Sequence, residues 1–453
     1  MPIQGNPTAP LVAGARVKDP ILSNYVFQAG IHKPEHSGLL AIKYPQYYLT
    51  AMLDRMGRSE PMAQVVYSWN TQDRTRANTT LTGGTLDGTV TSTTVITSQT
   101  IALAYWIVGD IFRSISGVMF EVNAVGDNGT YQTLTISKVE GGVIAAADLT
   151  AAQAVGHIAN WFEEGSSAPL GRLYLPDEDY NYLQIFRRSF KITGDEFTNK
   201  TYLGDAGASP WYFKQEELEM MEFRRDQEGG LMFGVRAVKT AANGKKKYMT
   251  NGIFTKVDDD GVSNTFATAT GVSEDDIMDH TTELVKEGGS NEYTVLCGAE
   301  IYRDIMKALR PYHLAGGVSY GSFGNQTIGL DVQSYDFFGK LIHFKHYELF
   351  NDLKMLPFAS TATATKYNFG QVSLWLDLGS DSSGEPLIQL THKENNGVSR
   401  KFIHTHVNGM MGPDGTQQGA VANGDDAFQI NYLAQIGTKI KFTNRMGILA
   451  ANS

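Results

Sequence analysis

The segment from Val65 to Thr100 is the part of this chain that most constrains its fold. It has the pattern of an extended β-arm, because residues 78–100 are rich in Thr, contain few apolar residues and carry turn signals at Gly83-Gly84 and Asp87-Gly88. An isolated two-stranded ribbon is only weakly stable in water, so an arm of this length needs a second surface to rest on. We expect that surface to belong to a neighbouring copy of the chain.

Length and charge limit the possible functions. A chain of 453 residues with 42% hydrophobic and 19% charged residues is expected to fold into about three domain-sized units. The formal net charge of -10 argues against a surface that neutralises the phosphates of nucleic acid. Passive enclosure of nucleic acid is still compatible with this charge.

The only cysteine, Cys297, follows an apolar run and is predicted to lie in a buried strand. A single cysteine cannot form an internal disulfide, which favours folding in a reducing cytoplasm. The N-terminal residues lack a basic region followed by an apolar core, and no uncharged apolar run reaches 18 residues. We therefore expect neither a signal peptide nor a membrane span.

The first half of the chain is predicted to be mostly extended. Residues 1 to about 50 are interrupted by Pro and Gly and should form an N-terminal arm, with a short helix from Pro45 to Met56. Strand-like runs between residues 104 and 143 predict a small β-module inserted into the β-arm. The aromatic and branched segment from Tyr180 to Thr193 is typical of a further strand.

The longest predicted helix follows that strand. Ser209 can cap it, Pro210 suits its first position, and the helical pattern continues to near residue 234. Gly229-Gly230 within it should cost about 2 kcal/mol relative to two alanines. The pair therefore predicts a bend, a close backbone contact or the end of the helix.

The second half mixes strands and helices without regular alternation, which favours an α+β fold. The predicted elements are a strand at Gly252–Val257, a hairpin turn at Asp258–Gly261, a helix capped by Ser273 and Asp276, a strand at Tyr293–Cys297, a helix at Ala299–Leu309 closed by Pro311, and a long strand at Ala427–Phe442.

Motifs for catalysis are weak. Gly317–Gly321 matches the G-x-S-x-G nucleophile motif around Ser319, but Gly-rich sequence replaces the strand and helix that the motif requires on either side. Nucleotide-binding glycine motifs are absent from the sequence. We predict no catalytic residue and no cofactor.

One histidine pair is compatible with half of a metal site. His404 and His406 alternate along a predicted strand and so share one face. In the sequence, no acid at ligand spacing and no Cys pair completes a zinc site around them. We predict solvated histidines and no metal.

The order of elements resembles the major capsid proteins of tailed double-stranded DNA phages, which have the Hong Kong 97-type fold. Three segments carry the resemblance: NYLQIFRRSFKITG at 181–194, the long helix from Pro210, and Asp425 to Leu449 with its long strand and final glycine turn. The resemblance implies self-assembly through hexamers and pentamers into an icosahedral shell around phage DNA. It implies a structural protein rather than an enzyme.

The resemblance also implies a division of the chain into shell domains. These would be an N-terminal arm and short helix at 1–56, an extended loop with the β-module at 57–175, the spine helix and peripheral domain at 176–294, the axial domain at 295–410, and a closing peripheral strand at 411–453. Contacts between subunits are predicted at the β-arm residues Trp69, Arg74, Arg76, Thr82 and Leu86. Some members of this fold join an extended-loop lysine to an asparagine of a neighbour, but no lysine lies between Lys43 and Lys138, so we expect non-covalent cohesion.

Further partners implied by the resemblance are the portal and scaffold or decoration proteins. DNA would be enclosed without sequence-specific binding, no membrane would be involved, and the protein would occupy the virion capsid after assembly in the host cytoplasm. Two alternatives stay open: an encapsulin-like compartment for protein cargo, and a monomeric α+β hydrolase or binding protein that uses Gly317–Gly321.

Overall fold

The computed structural model describes two compact units of this chain. The described residues are 49, 53, 57–72, 78–82, 90–100, 105–145, 147–149, 154–169, 171, 176–195, 211–268, 270–315, 334–352, 356, 367–409 and 424–452. Trp69–Asp179 form one unit, and the residues before and after them form the other. Within the described residues, no helix combines the length and apolar character needed to cross a bilayer.

All described strands of the smaller unit are among the first ten strands. They are β1 (Ser59–Met62), β2 (Val66–Thr71), β3 (Asn78–Thr82), β4 (Ser92–Thr100), β5 (Asp110–Arg113), β6 (Met119–Asp127), β7 (Tyr131–Lys138), β8 (Ala154–Asn160), β9 (Asp177–Tyr182) and β10 (Gln184–Thr193). Strands β2 and β9 pair as a ribbon, through which the chain enters and leaves the smaller unit.

The smaller unit contains a closed barrel with the strand order β3-β4-β7-β6-β5-β8. Its core is one cluster of buried side chains: Leu81, Val95, Trp106, Phe112, Phe120, Val122, Leu134, Ile136, Ile144, Leu149 and Val155. The barrel is thus larger than the module predicted at 104–143, because β3, β4 and β8 complete it.

The prediction that residues 78–100 have little to contribute to a core was wrong. Leu81 and Val95 are 2% and 0% exposed, and the buried Thr97 donates its hydroxyl to Gln132 O at 2.9 Å. Threonine is β-branched and fits a pleated sheet, and its hydroxyl can be buried once it is hydrogen-bonded. The sequence prediction was wrong because it treated the threonines and the few apolar residues of 78–100 as solvent-exposed.

Among the described residues, four helices of the larger unit are seen as continuous segments, together with the remaining strands. The helices are α1 (Trp211–Phe233), α2 (Ile253–Asp260), α3 (Glu274–Lys286) and α4 (Ala299–Ala315). The strands are β11 (Ala237–Thr240), β12 (Lys246–Met249), β13 (Val262–Ala267), β14 (Glu292–Cys297), β15 (Ser334–Phe337), β16 (Lys340–His346), β17 (Val372–Asp377), β18 (Ile388–Asn395), β19 (Val398–Ser399), β20 (Ile403–Asn408), β21 (Ala427–Ile440) and β22 (Gly447–Asn452).

Two six-stranded sheets organise this unit. In the first sheet the path is β1-β18-β21-β10, while β19 pairs with β18 and β20 with β21. In the second sheet the order is β13-β22-β17-β14-β16-β15. Strands β11 and β12 form a separate hairpin. Helix and strand are mixed, as an α+β fold requires.

Helix α1 lies on the first sheet and confirms the predicted long helix. Its Phe223 stacks on Tyr432 of β21 with ring centroids 5.7 Å apart. The helix continues through Gly229-Gly230, where a Cβ on Gly230 would lie 2.7 Å from the ring carbons of Phe186 in β10. Of the three predictions for the glycine pair, the structure therefore supports a close contact, here between the helix backbone and the Phe186 ring.

Several other predicted elements are confirmed. Ser273 and Asp276 form a reciprocal capping box at the start of α3. Cys297 is fully buried at the end of β14, and burial raises the pKa of its thiol. The predicted helix near the N-terminus is described only at Leu49 and Leu53, which are helical and buried in the main core.

Three predictions in the second half were wrong. Gly252–Val257 does not form a strand, because Ile253, Phe254 and Val257 have helical spacing and are buried together along α2. Asp258–Asp260 form the last turn of that helix rather than a hairpin, and Lys256 pairs with Asp260 at 2.5 Å. Helix α4 also continues past Pro311 to Ala315, although a proline inside a helix removes one backbone hydrogen bond and crowds the preceding turn.

Candidate assembly surfaces

The β2–β9 ribbon is anchored through one face of β2. Val66 is 48% exposed, whereas Tyr67 and Trp69 are 6% and 8% exposed, so the strand alternates between solvent and core. Tyr67 donates its hydroxyl proton to Thr438 O at 2.7 Å and accepts a hydrogen bond from Thr391 Oγ1 at 2.9 Å. Burial raises the pKa of Tyr67, so the phenol stays neutral. At Tyr67, which belongs to the larger unit, β2 is therefore hydrogen-bonded to β18 and β21 of the first sheet.

The barrel carries a group of exposed apolar residues beside the end of β8. The side chains of Val108, Ile158, Trp161 and Phe162 are 44–53% exposed, and Trp161 N donates to Gly109 O at 3.0 Å. Gly109 has a φ of +91°, and a Cβ there would lie 2.8 Å from a ring carbon of Phe162. The glycine therefore lets the aromatic ring lie against the backbone. We name Val108, Ile158, Trp161 and Phe162 the barrel patch.

Exposed apolar and aromatic side chains are frequent on surfaces that bind other proteins. A further residue of this kind, Ile115, lies in the β5–β6 turn and is 77% exposed. The sequence analysis missed the patch, although the dipeptide Trp161-Phe162 in a segment with Gly and Ser was a visible signal.

At β10 the first sheet has one open face and one face covered by α1. Arg187, Ser189 and Lys191 of β10 are exposed on the open face, which contributes to a groove of about 800 Å³. On the covered face, Arg188 Nε binds Glu219 Oε2 at 2.5 Å and Arg188 Nη1 binds Asp226 Oδ2 at 2.9 Å. Arg188 therefore attaches α1 to β10 at two points that lie two helical turns apart.

A buried carboxylate attaches the C-terminal part of α1 to two distant segments. Glu228 is 1% exposed and accepts hydrogen bonds from the Tyr347 hydroxyl at 2.5 Å and from Leu49 N at 3.2 Å. Charge-assisted hydrogen bonds of this kind offset the cost of burying an acid. Leu49 is thus tied to the C-terminal part of α1.

Comparison with known proteins gives the family. The family model described as SU10 major capsid protein matches residues 45–367, which is more than half of the chain. The chain belongs to this major capsid protein family. A curated major capsid protein of Pseudomonas phage PaMx41 is 30% identical over 178 residues, which is 38% of this chain and 41% of that relative. The match thus spans less than half of the relative's length.

Solved structures show weaker similarity to this capsid-family chain. A protein of Gordonia phage Cozz is 9% identical with a TM-score of 0.43, covering 98% of both chains. The SrpI encapsulin of Synechococcus elongatus PCC 7942 is 10% identical with a TM-score of 0.33, covering 61% of this chain and 76% of the encapsulin. Because both TM-scores are below 0.5, the family assignment rests on the sequence match.

The predicted contact residues of this capsid-family chain lie in different surroundings. Trp69 is largely covered by its own chain, and Thr82 lies in β3 opposite Ile96 of β4. Arg74, Arg76 and Leu86 lie outside the described residues. The role of these five residues in subunit contact stays a prediction.

The structure adds an acidic residue to the predicted histidine pair. His404 and His406 share a face of β20, as predicted, but Glu216 of α1 approaches the pair, with Oε1 3.3 Å from His404 Nε2. The sequence offers no acid at ligand spacing around the pair, and Glu216 reaches it only because the helix brings in a residue far away in sequence. The other weak motif, Gly317–Gly321, lies outside the described residues.

Proposed function

We propose that this chain is the subunit of a tailed-phage capsid and self-assembles through hexamers and pentamers into the icosahedral shell that encloses the DNA genome. The observation that carries the proposal is the SU10 major capsid protein match over residues 45–367. The role is structural and non-enzymatic. Assembly takes place in the host cytoplasm.

In this proposal the subunit has the Hong Kong 97-type arrangement. Helix α1, with its 23 residues on the first sheet, would be the spine helix. Residues 57–175 would form the extended loop, 295–410 the axial domain, and 176–294 with 411–453 the peripheral domain. The length of α1 and the 14-residue strand β21 that supports it favour this assignment.

Subunits would be held together by many modest contacts rather than by covalent bonds. The barrel patch offers apolar area to a neighbour, and Arg74 and Arg76 add charge in the same loop. Trp69, Thr82 and Leu86 complete the set of proposed contact residues. A closed shell sums such contacts over several neighbours, so it can be stable although each pair binds weakly.

The formal net charge of -10 suits a container that does not hold DNA through its phosphates. Portal and scaffold or decoration proteins are the further partners in this proposal. They would add to the shell without changing the role of the subunit.

Electron microscopy and sedimentation of the purified chain test the proposal. We expect closed icosahedral particles, with nucleic acid inside those isolated from infected cells. A species near the monomer mass of 49.7 kDa at all concentrations would exclude a shell protein. Particles that contain protein cargo and no nucleic acid would instead indicate an encapsulin-like compartment.

A surface substitution tests the barrel patch. Trp161→Asp places a charge on an exposed apolar residue, so the subunit should fold normally and assemble poorly. Thr130→Asp is the matched control, because it adds the same charge at an exposed position of the β6–β7 turn. Equal shell yields from the two variants would show that the patch does not contact a neighbour.

A further inference from the structure

A cluster of two histidines and one glutamate lies where α1 meets the edge of the first sheet. His404 Nε2 is 3.0 Å from His406 Nε2 and 3.3 Å from Glu216 Oε1. Ligand atoms of all three side chains lie within 4.8 Å of one another. The three side chains are partly exposed, so an ion can reach them from solvent.

Neighbouring aromatic rings hold both imidazoles in place. The ring of His404 stacks on Tyr432 with centroids 4.9 Å apart and an angle of 8°, and the ring of His406 meets Phe428 edge-on at 5.4 Å. Tyr432 also donates to the backbone carbonyl of Glu216 at 3.4 Å. These contacts reduce the freedom that the side chains would lose on binding an ion.

The distances from His404 to the other two side chains match those between ligands of one ion. Donor atoms that each lie about 2.1 Å from a zinc ion are separated from one another by roughly 3.0–3.4 Å. Two distances in the cluster, 3.0 Å between the two imidazole nitrogens and 3.3 Å between His404 Nε2 and Glu216 Oε1, fall in this range. Two imidazoles with one carboxylate suit borderline divalent ions such as Zn²⁺, Ni²⁺ or Cu²⁺, whereas Mg²⁺ prefers ligands that are all oxygen.

We propose that Glu216, His404 and His406 bind one divalent transition-metal ion that links α1 to β20. The carboxylate cancels part of the ionic charge, and water fills the remaining coordination positions. Because Glu216 comes from the helix and the histidines from an edge strand, the ion stabilises the packing of α1 on the sheet. This inference is independent of the proposed shell function, since the site lies within one chain.

Titration of the full chain with ZnCl₂ tests the site directly. The protein is purified without a polyhistidine tag, stripped with EDTA and studied by calorimetry and elemental analysis. We expect one Zn²⁺ per chain and a higher melting temperature with Zn²⁺ than with Mg²⁺, because an ion that binds only the folded state stabilises it.

Substitutions assign the ligands. His404→Phe combined with His406→Phe keeps aromatic rings against Tyr432 and Phe428 but removes both nitrogens, and it should abolish the binding. Glu216→Gln should weaken binding at least tenfold. The matched control, His343→Phe with His346→Phe, also removes two histidines from one strand and should leave affinity and stoichiometry unchanged.

Spectroscopy keeps the test decisive if the double variant does not fold. Electron paramagnetic resonance of the Cu²⁺-loaded wild-type chain should show hyperfine coupling to imidazole nitrogen. The same coupling should be seen in Glu216→Gln and in the control variant, because both keep His404 and His406. Absence of Zn²⁺ binding in the wild type would overturn the proposal. So would binding that persists without His404 and His406, or a copper spectrum without nitrogen coupling.

Discussion

Replacement of His280 should change how the stability of the subunit depends on pH. His280 lies on α3 and is 0% exposed, with its ring 4.9 Å from Trp375 and against the backbone of Gly447, where a Cβ would lie 2.6 Å from a ring carbon. Neither ring nitrogen has a hydrogen-bond partner among the described residues. Burial lowers the pKa of His280 from 6.5 to about 3.

The direction of this pH dependence follows from how many protons the folded and the unfolded chain bind. Below about pH 6.5 the unfolded chain takes up a proton at this histidine, whereas the folded chain does not until the pH approaches 3. The free energy of unfolding is therefore unaffected by this group above pH 6.5 and falls as the pH drops from 6.5 towards 3. At pH 5 the loss is about 2 kcal/mol, because one pKa unit corresponds to about 1.4 kcal/mol.

His280→Leu removes this proton uptake while it keeps an apolar side chain of similar size. We expect the variant to gain about 2 kcal/mol relative to wild type when the pH is lowered from 7.5 to 5. Urea unfolding of the unassembled subunit, followed by tryptophan fluorescence at both pH values, measures the difference. Comparison with wild type cancels the contributions of all other titrating groups.

The neighbouring residue provides the control. Thr281 is also fully buried on α3 and donates its hydroxyl to Ile277 O at 2.7 Å, but it does not titrate. Thr281→Val should therefore destabilise the subunit by the same amount at both pH values. If His280→Leu and wild type lost stability in parallel, His280 would bind a proton in the folded state, and the burial argument would be wrong.

Three further outcomes are expected. Glu228→Ala removes the two hydrogen bonds that this buried carboxylate accepts from the Tyr347 hydroxyl and from Leu49 N, and it should cost about 3 kcal/mol in thermal or urea unfolding. Gly230→Ala should destabilise the subunit by about 1–3 kcal/mol although alanine is the better helix former, because the added methyl collides with the Phe186 ring. In a double-mutant cycle, Phe186→Leu should reduce that cost. Boiled, detergent-denatured shells should run as one monomer band, because no lysine precedes Lys138 in the loop; covalent ladders would disprove this.

Local patterns predicted the elements whose signals lie close together in sequence. The capping box of Ser273 and Asp276, the apolar run ending at Cys297 and the long helix beyond Pro210 all depend on residues within a few positions of one another. The short helix α2 was missed because its buried face contains only Ile253, Phe254 and Val257. So short an apolar stretch fits a strand equally well until its tertiary neighbours are known.

The candidate sites depend on contacts that no local pattern encodes. Glu216 reaches His404 only because α1 crosses the sheet, and Glu228 joins Tyr347 to Leu49 across three distant segments. Sequence reasoning could identify the histidine pair on one strand face. It could not identify the acid that approaches the pair, since packing between α1 and β20 determines that distance.

The barrel changes how the β-arm can be tested. Deletion of the Thr-rich residues 78–100 would remove two of the six strands of a closed barrel and open two new sheet edges. The core cluster that includes Leu81 and Val95 lies entirely within the smaller unit, so its loss would unfold that unit whether or not the unit contacts a neighbour. A failure of such a deletion to assemble would therefore not separate folding from contact. Exposed positions such as Trp161 do separate them, because a charge there leaves the barrel core intact.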